Sequence, residues 1–408
     1  MKRFLHILPL LLIVAGCQIP EVLQVDFDTF EVTEVKTSAL FLDDGSLNPD
    51  VRLMEEPNLP DELPTKVART DVATIARNML DQINSNRIIQ YAGIFSGHDV
   101  DGVTPLRQSG KLLLPETGPI KNLVLVSHYT IGSNEEAPSM CFPMEGMLAA
   151  KGYAVVIADY IGYGITANRI HPYMHTRSTS QSVVDMALAV KPFLDHIGRV
   201  PEDKEVILMG YSQGGSTTMA VMKMLQEEYR DIFPIKRVFA GGGPYDLAAT
   251  FDYSMEIDKT GIPCAIPMIV QGVNDGESLG LNMEDFFKGN LLEHYKEWIN
   301  TKKYTVNEIN KMIGSRYLHD IMTELGRDKT SGETARLYKA LLKNSVLNFR
   351  PLAPVYMFHS REDQTVPFIN AIQAENYYKL NDIRFNFGDY GQHAMGCIRF
   401  IVLVYNML

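Results

Sequence analysis

The chain has 408 residues, 46% of them apolar, and a formal charge of −11. That much apolar side chain suits one large globular domain carrying an insertion better than two equal domains. The acidic balance argues against nucleic acid or an anionic lipid surface as the main partner.

Met1-Lys2-Arg3 is a short basic start, and Phe4 to Val14 is almost wholly apolar. This run is too short to span a bilayer and has the length of a signal-peptide core. It closes on Val14-Ala15-Gly16-Cys17, which resembles the bacterial lipobox. The resemblance implies that residues 1–17 are a lipoprotein signal peptide and that Cys17 is lipidated. An exported, membrane-anchored protein on the periplasmic face or cell surface follows; an ordinary secretory signal is the alternative. No later segment is long and apolar enough to cross a membrane. Of four cysteines, Cys141, Cys264 and Cys397 then remain, which permits at most one internal disulfide and leaves its pairing open.

Residues 18–84 are acidic and punctuated by Pro20, Pro49, Pro57, Pro60 and Pro64. They read as a tether and a loosely packed lead-in, with a short helix over Thr70 to Ile83. Arg87 to Ser96 and Gly110 to Leu114 flank a turn-rich stretch at Gly97 to Gly102 and predict two antiparallel strands at one sheet edge. From Asn122 strand alternates with helix: strands at Leu123 to Val126, Tyr153 to Ala158, Glu205 to Gly210 and Val238 to Gly241, helices at Met144 to Lys151 and Ser178 to Ile197. In the second helix Val183, Ala187, Val190, Leu194 and Ile197 share one face. Such alternation predicts a mostly parallel sheet covered on both sides. It breaks over 246–347, where helical stretches (Met283 to Ile299, Val306 to Met312, Thr334 to Leu342) predict an inserted cap or lid. Strand and helix resume at Pro354 to Phe358, Val366 to Leu380, Ile383 to Phe387 and Met395 to Met407. The core is thus expected over 85–245 and 348–408.

Val206 to Gly215 is the chemically informative stretch: a buried strand, then Gly210-Tyr211-Ser212-Gln213-Gly214, then a helix-compatible run. A tight strand-to-helix turn exposes the serine, and the two glycines keep side chains clear of it. It also turns the amide of Gln213 toward the same point, as an oxyanion donor. A serine hydroxyl needs a general base, and the base needs a carboxylate to hold its tautomer. In a parallel sheet both must come from loops at the carboxyl ends of strands. His359 to Pro367 follows one strand, and Gly391-Gln392-His393-Ala394 follows the last.

These motifs resemble the α/β-hydrolase superfamily over about residues 87–408. His359 to Pro367 is similar to its His-Gly-x-x-Asp-x-x-Val-Pro acid loop, with Ser360 in place of Gly. Asp159-Tyr160-Ile161-Gly162-Tyr163-Gly164 is similar to its Asp-x-x-Gly-x-Gly turn. More narrowly, Gly-Tyr-Ser-Gln-Gly-Gly, Asp-Tyr-x-Gly-Tyr-Gly with His171-Pro172-Tyr173 after it, and a large helical cap resemble the secretory lipases. The resemblance does not reach the N-terminal lead-in. It implies the α/β-hydrolase fold with a Ser, Asp, His order of catalytic residues.

On that pattern Ser212 is the nucleophile, and Asp363 rather than its neighbour Glu362 is the acid. His393 is the base by position. His359 reads as a strand-end packing residue and His128 as an organiser of backbone. His171 and His175 have helical metal-pair spacing, but Pro172 intervenes and no third ligand is evident. The second oxyanion amide is expected from Thr130 or Tyr129, where His128-Tyr129-Thr130 departs from the usual His-Gly pair. The expected activity is ester hydrolysis through an acyl-enzyme on Ser212, with no metal or organic cofactor, acting on a small-molecule or lipid-like ester. Met255, Met268, Phe286, Phe287, Tyr295 and Trp298 in the cap suit an apolar acyl chain or simply the cap's own core. A serine peptidase of this fold (prolyl-peptidase-like) and a surface binding protein that kept the fold without the activity are the alternative readings.

Overall fold

The computed structural model describes residues 30–57, 83–379, 381 and 383–408. The signal peptide with Cys17, and the helix expected over 70–83 apart from its last residue, lie outside the described residues.

Eleven strands are described: β1 (Glu31–Ala39), β2 (Val51–Arg52), β3 (Arg87–His98), β4 (Pro105–Pro115), β5 (Leu123–Ser127), β6 (Phe142–Pro143), β7 (Ala154–Ala158), β8 (Val206–Tyr211), β9 (Ile235–Gly241), β10 (Val355–Ser360) and β11 (Ile383–Gly388). Nine form one sheet in the order β1-β3-β4-β7-β5-β8-β9-β10-β11. The first three pair antiparallel, and everything from β7 to β11 runs parallel. β2 pairs with β6 as a separate two-residue bridge.

Side chains alternate across the pleat. Leu123 and Leu125 of β5 and Leu208 of β8 therefore face one core, and Val124, Val126 and Met209 the other. The first core is closed by α2 (Thr176–His196) and α3 (Gln213–Glu228), through Val183, Met186, Ala187, Val190, Met222 and Leu225. The second is closed by α1 (Gly146–Ala150) and the C-terminal helix α12 (His393–Met407), through Leu148, Phe400 and Val404. Each fully buried Val, Leu or Met contributes about 1.5–3 kcal/mol, so this double-sided core holds the sheet between both helix layers.

Between β9 and β10 the described residues hold only helices and isolated bridges: α4 (Leu247–Ile257), α5 (Ala265–Gly276), α6 (Gly289–Tyr295), α7 (Val306–Ile313), α8 (Leu318–Ile321), α9 (Glu324–Arg327) and α10 (Gly332–Asn344). α11 (Ile369–Tyr377) packs back on the sheet. The single helix expected over 283–299 is divided into a 3-10 turn at Met283–Asp285, α6, and a π turn at Lys296–Asn300. The break falls at Gly289, whose φ of 55° no interior helical residue adopts. Phe286, Phe287, Trp298 and Met268 pack inside a cluster built largely from these helices, whereas Met255 lines a cavity.

Part of the stretch read as a loose lead-in is built into the molecule. Residues 31–39 form the edge strand β1, and Phe30, Leu40, Phe41, Val51 and Met54 are buried. Cys141, Cys264 and Cys397 are free thiols; burial pushes Cys141 up to about 12 and raises the other two as well.

Candidate active site

β8 is buried along its whole length between β5 and β9 and delivers Ser212 at the carboxyl edge of the sheet. Ser212 has φ 59° and ψ −127°, a strained conformation for a residue with a Cβ, and Gln213 opens α3 immediately after it. The strain is held by Ser212 N–H donating to Gly241 O at 2.9 Å and Gly215 N–H donating to Ser212 O at 2.8 Å. The two glycines act differently from the expectation. A Cβ on Gly210 would meet the Gly214 carbonyl and, at 2.6 Å, Thr218 Oγ1; one on Gly214 would strike the Ser127 carbonyl. Gly214 thus lets the first turn of α3 lie directly against the end of β5, beside the loop that carries Tyr129 and Thr130.

Asp363 lies in the loop after β10. Its Oδ1 accepts from Thr365 N and Val366 N, both at 2.9 Å, and its Oδ2 accepts from His393 Nδ1 at 2.6 Å. Burial would raise the carboxyl pKa, but the imidazolium charge, its hydrogen bond and the nearby amides outweigh that, and the group is held below the usual carboxylate range. Burial would likewise lower His393; the Asp363 charge, their hydrogen bond and Glu56 reverse it, so His393 is raised above an ordinary histidine. Because Nδ1–H faces Asp363, Nε2 carries the lone pair. Nε2 is buried, with no hydrogen-bond partner among the described residues.

Ser212 and His393 line the same cavity, about 40 Å³ in volume. That is space for about one water. No direct Ser212–His393 hydrogen bond is formed. Tyr129 and Thr130 line the same cavity, so both second-donor candidates lie beside Ser212. The Thr130 hydroxyl is engaged with Tyr173 OH at 2.7 Å.

The competing residues have other employment. Glu362 accepts from Gly391 N at 2.7 Å, bracing the loop ahead of His393. His359 donates from Nε2 to Val366 O at 3.0 Å and so closes the acid loop, its pKa lowered by burial. His128 stacks on Tyr160 with ring centroids 4.0 Å apart and contacts the carbonyls of Tyr129 and Asp159. His171 is held neutral by burial and the Lys302 charge. Its Nδ1–H donates to Ile161 O at 2.7 Å, leaving Nε2 to accept from the Gln213 side-chain amide at 2.9 Å. His175 contacts Ser178 Oγ at 2.9 Å. No cluster of three potential metal ligands occurs among the described residues.

One group had no signal in the sequence. Glu56 accepts from His393 N at 3.1 Å and Ala394 N at 2.7 Å. It sits in an acidic, proline-punctuated stretch where neither spacing nor periodicity marks it.

A second cavity of about 610 Å³ lies between α4, α5 and the acid loop, lined by apolar side chains such as Leu247, Phe251, Met255, Ile266 and Ile269. It shares Ile262 and Thr365 with the small chamber. The two walls touch there, since a Cβ on Gly261 would collide with the Gln364 carbonyl.

In solved structures the fold is that of the rice cell-wall-degrading esterase LipA from Xanthomonas oryzae, at TM-score 0.72 and 20% identity over 83% of this chain and 94% of that one. A protein of Legionella pneumophila matches at TM-score 0.73 and 21% identity, over 83% and 95% of the two chains. Candida antarctica lipase A in its closed state matches at TM-score 0.59 and 14% identity, over 92% and 82%. No protein of curated function matches the chain in sequence. The secretory lipase family model matches residues 143–390, more than half of the chain. That span contains Ser212 and Asp363 and stops short of His393. With the sheet topology and this match together, the chain belongs to the secretory lipase family and is a carboxylic ester hydrolase of the α/β-hydrolase fold.

Proposed function

We propose that Ser212, His393 and Asp363 form the catalytic triad of this esterase, with Gln213 N–H and an amide of the Tyr129-Thr130 loop as the oxyanion hole. His393 Nε2 takes the proton as Ser212 Oγ attacks the ester carbonyl. The tetrahedral oxyanion is held by the two amides; the alcohol then leaves with the proton from His393. Water, activated by the same nitrogen, attacks the acyl-enzyme and frees the acid. The observation that carries this reading is the Asp363–His393 hydrogen bond facing the same chamber as Ser212 on its strained turn.

The substrate we infer is an ester with an apolar acyl chain, because the large cavity that shares wall residues with the chamber is mostly aliphatic and aromatic. Segment 246–347 then acts as the cap that roofs this cavity over the core of residues 85–245 and 348–408. We further propose export, with Cys17 as the lipid anchor; the lipobox-like sequence supports this.

Labelling the purified protein with a fluorophosphonate, beside Ser212→Ala, tests the nucleophile. The wild type is expected to label and the variant not. p-Nitrophenyl esters of graded chain length and aminoacyl anilides then test the leaving group, with turnover expected on the esters. Labelling with turnover on anilides alone would indicate a peptidase, and no labelling would leave only a binding role.

A further inference from the structure

We propose that Glu56 is a positioning residue of this site: its carboxylate, carried by the segment ahead of the core, holds the helix that begins with His393 and sets the charge around that imidazole. The proposal rests on the triad reading above.

His393 is the first residue of α12, and Gln392 at the cap position contributes no side-chain hydrogen bond. The first amides of a helix have no partner within it. Here Glu56 supplies both, Oε1 to His393 N at 3.1 Å and Oε2 to Ala394 N at 2.7 Å. A carboxylate is favoured there by the helix dipole. Since the imidazole hangs from the first residue of the helix, whatever fixes that backbone also fixes where Nε2 points.

The segment is itself tied down on three sides. Arg52 pairs with Glu136, and Glu136 Oε2 accepts from Gly132 N and Ser133 N at 2.9 Å, just beyond Thr130. Glu55 accepts from Asn307 Nδ2 at 3.1 Å, on cap helix α7. Leu53, Met54, Glu55 and Pro57 form one wall of the chamber that holds Ser212 and His393. Residues 51–57 therefore join the oxyanion side, the cap and the base, although they precede the span matched by the family.

The charge surroundings of His393 come from four elements. The acid loop brings Asp363, β10 brings His359, and β8 brings Tyr211, whose hydroxyl donates to His393 O at 3.0 Å. The N-terminal segment brings Glu56, with Arg52 and Glu55 on the chamber wall, where Glu136 also stands. Burial raises the Glu56 carboxyl pKa above the usual value, and the His393 charge offsets part of that rise. When His393 takes the serine proton, Glu56 adds a second negative neighbour to Asp363.

The test measures kcat and KM on p-nitrophenyl butyrate against pH for the full chain, Glu56→Gln, Glu56→Ala and Ser212→Ala. Glu56→Gln keeps an acceptor for one of the two helix amides and removes the charge. Its kcat should stay within a few-fold, while the acid limb of kcat/KM moves to lower pH by about half a unit. Glu56→Ala should also lose about tenfold in kcat at an almost unchanged KM, as the ring is no longer held. If both variants keep the wild-type acid limb and kcat, and lose only Tm, Glu56 is structural and the proposal is overturned. If Glu56→Ala does not fold, the acid limb of Glu56→Gln decides alone. Residual wild-type turnover in Ser212→Ala would remove the triad reading and this proposal together; an inactive Ser212→Ala beside unshifted Glu56 variants would remove only this one.

Discussion

Asp363 does two jobs with two oxygens. Oδ1 ties its own loop to the amides of Thr365 and Val366, and Oδ2 holds His393 Nδ1. Asp363→Asn preserves volume but removes the charge that keeps the proton on Nδ1. It should lower kcat by about 10⁴, with KM changed only a few-fold. The pH profile gives an independent check, with a sign that follows from the base's role. As the proposed base, His393 must be neutral to act, and its pKa is raised, so wild-type activity should be lost as pH falls through a value above that of an ordinary histidine. Removing the Asp363 charge lowers that pKa, and the residual activity of the variant should persist to lower pH. A kcat/KM profile that moves the other way would show that the base is not the group bonded to Asp363. At this scale the serine and acid were legible because a strained turn and a loop pattern leave fixed residue types at fixed spacings. Glu56 was not, because its partners are backbone amides far along the chain, and an amide leaves no trace in sequence.

The elements that were legible are those buried on both faces. β5, β7 and β8 are continuous apolar runs because each lies mid-sheet under helices on both sides. β1 escaped for the opposite reason: most of its residues are exposed, with Glu31, Glu34 and Lys36 along it, and it is held by backbone pairing to β3. Charges on an edge strand discourage further pairing, and they also erase the alternation that would announce it. In the cap, α5 carries Pro267 in its first turn and Gly272 in its middle, a composition that argues against a helix. Gly272 is required because a Cβ there would collide with the Tyr173 backbone. The same kind of contact governs the elbow. Gly214→Ala must drive α3 away from Ser127, so it should cost about 1–3 kcal/mol of stability. Its activity should fall further than that loss explains, because the Gln213 amide moves with the helix. Gly118→Ala is the control: its φ is 84° but an added Cβ meets nothing within 4 Å, so it should lose a little stability through backbone strain and no activity. Denaturant midpoints and kcat for the two variants separate the effects.

For the whole molecule, the decisive geometry is how cap and core meet. The small chamber holds the proposed chemistry, the large cavity holds the volume, and Ile262 of the proposed cap and Thr365 of the acid loop line both. Each CH₂ transferred from water into such a space is worth about 0.8 kcal/mol, so kcat/KM should climb with acyl length as long as the chain can pass Ile262. A butyryl group is short enough to remain near Ser212, whereas a dodecanoyl group must extend into the space bounded by Leu247, Phe251 and Met255. Ile262→Phe adds bulk to the wall both cavities share without changing the three proposed triad side chains. It should leave p-nitrophenyl acetate and butyrate within about twofold of wild type and lower the dodecanoate by at least tenfold, an asymmetry that uniform loss of binding cannot produce. Ile262→Ala should do the reverse, favouring the long ester over the short one. If both variants scale all esters equally, the acyl chain does not use this route, and the large cavity serves the packing of the cap against the core instead.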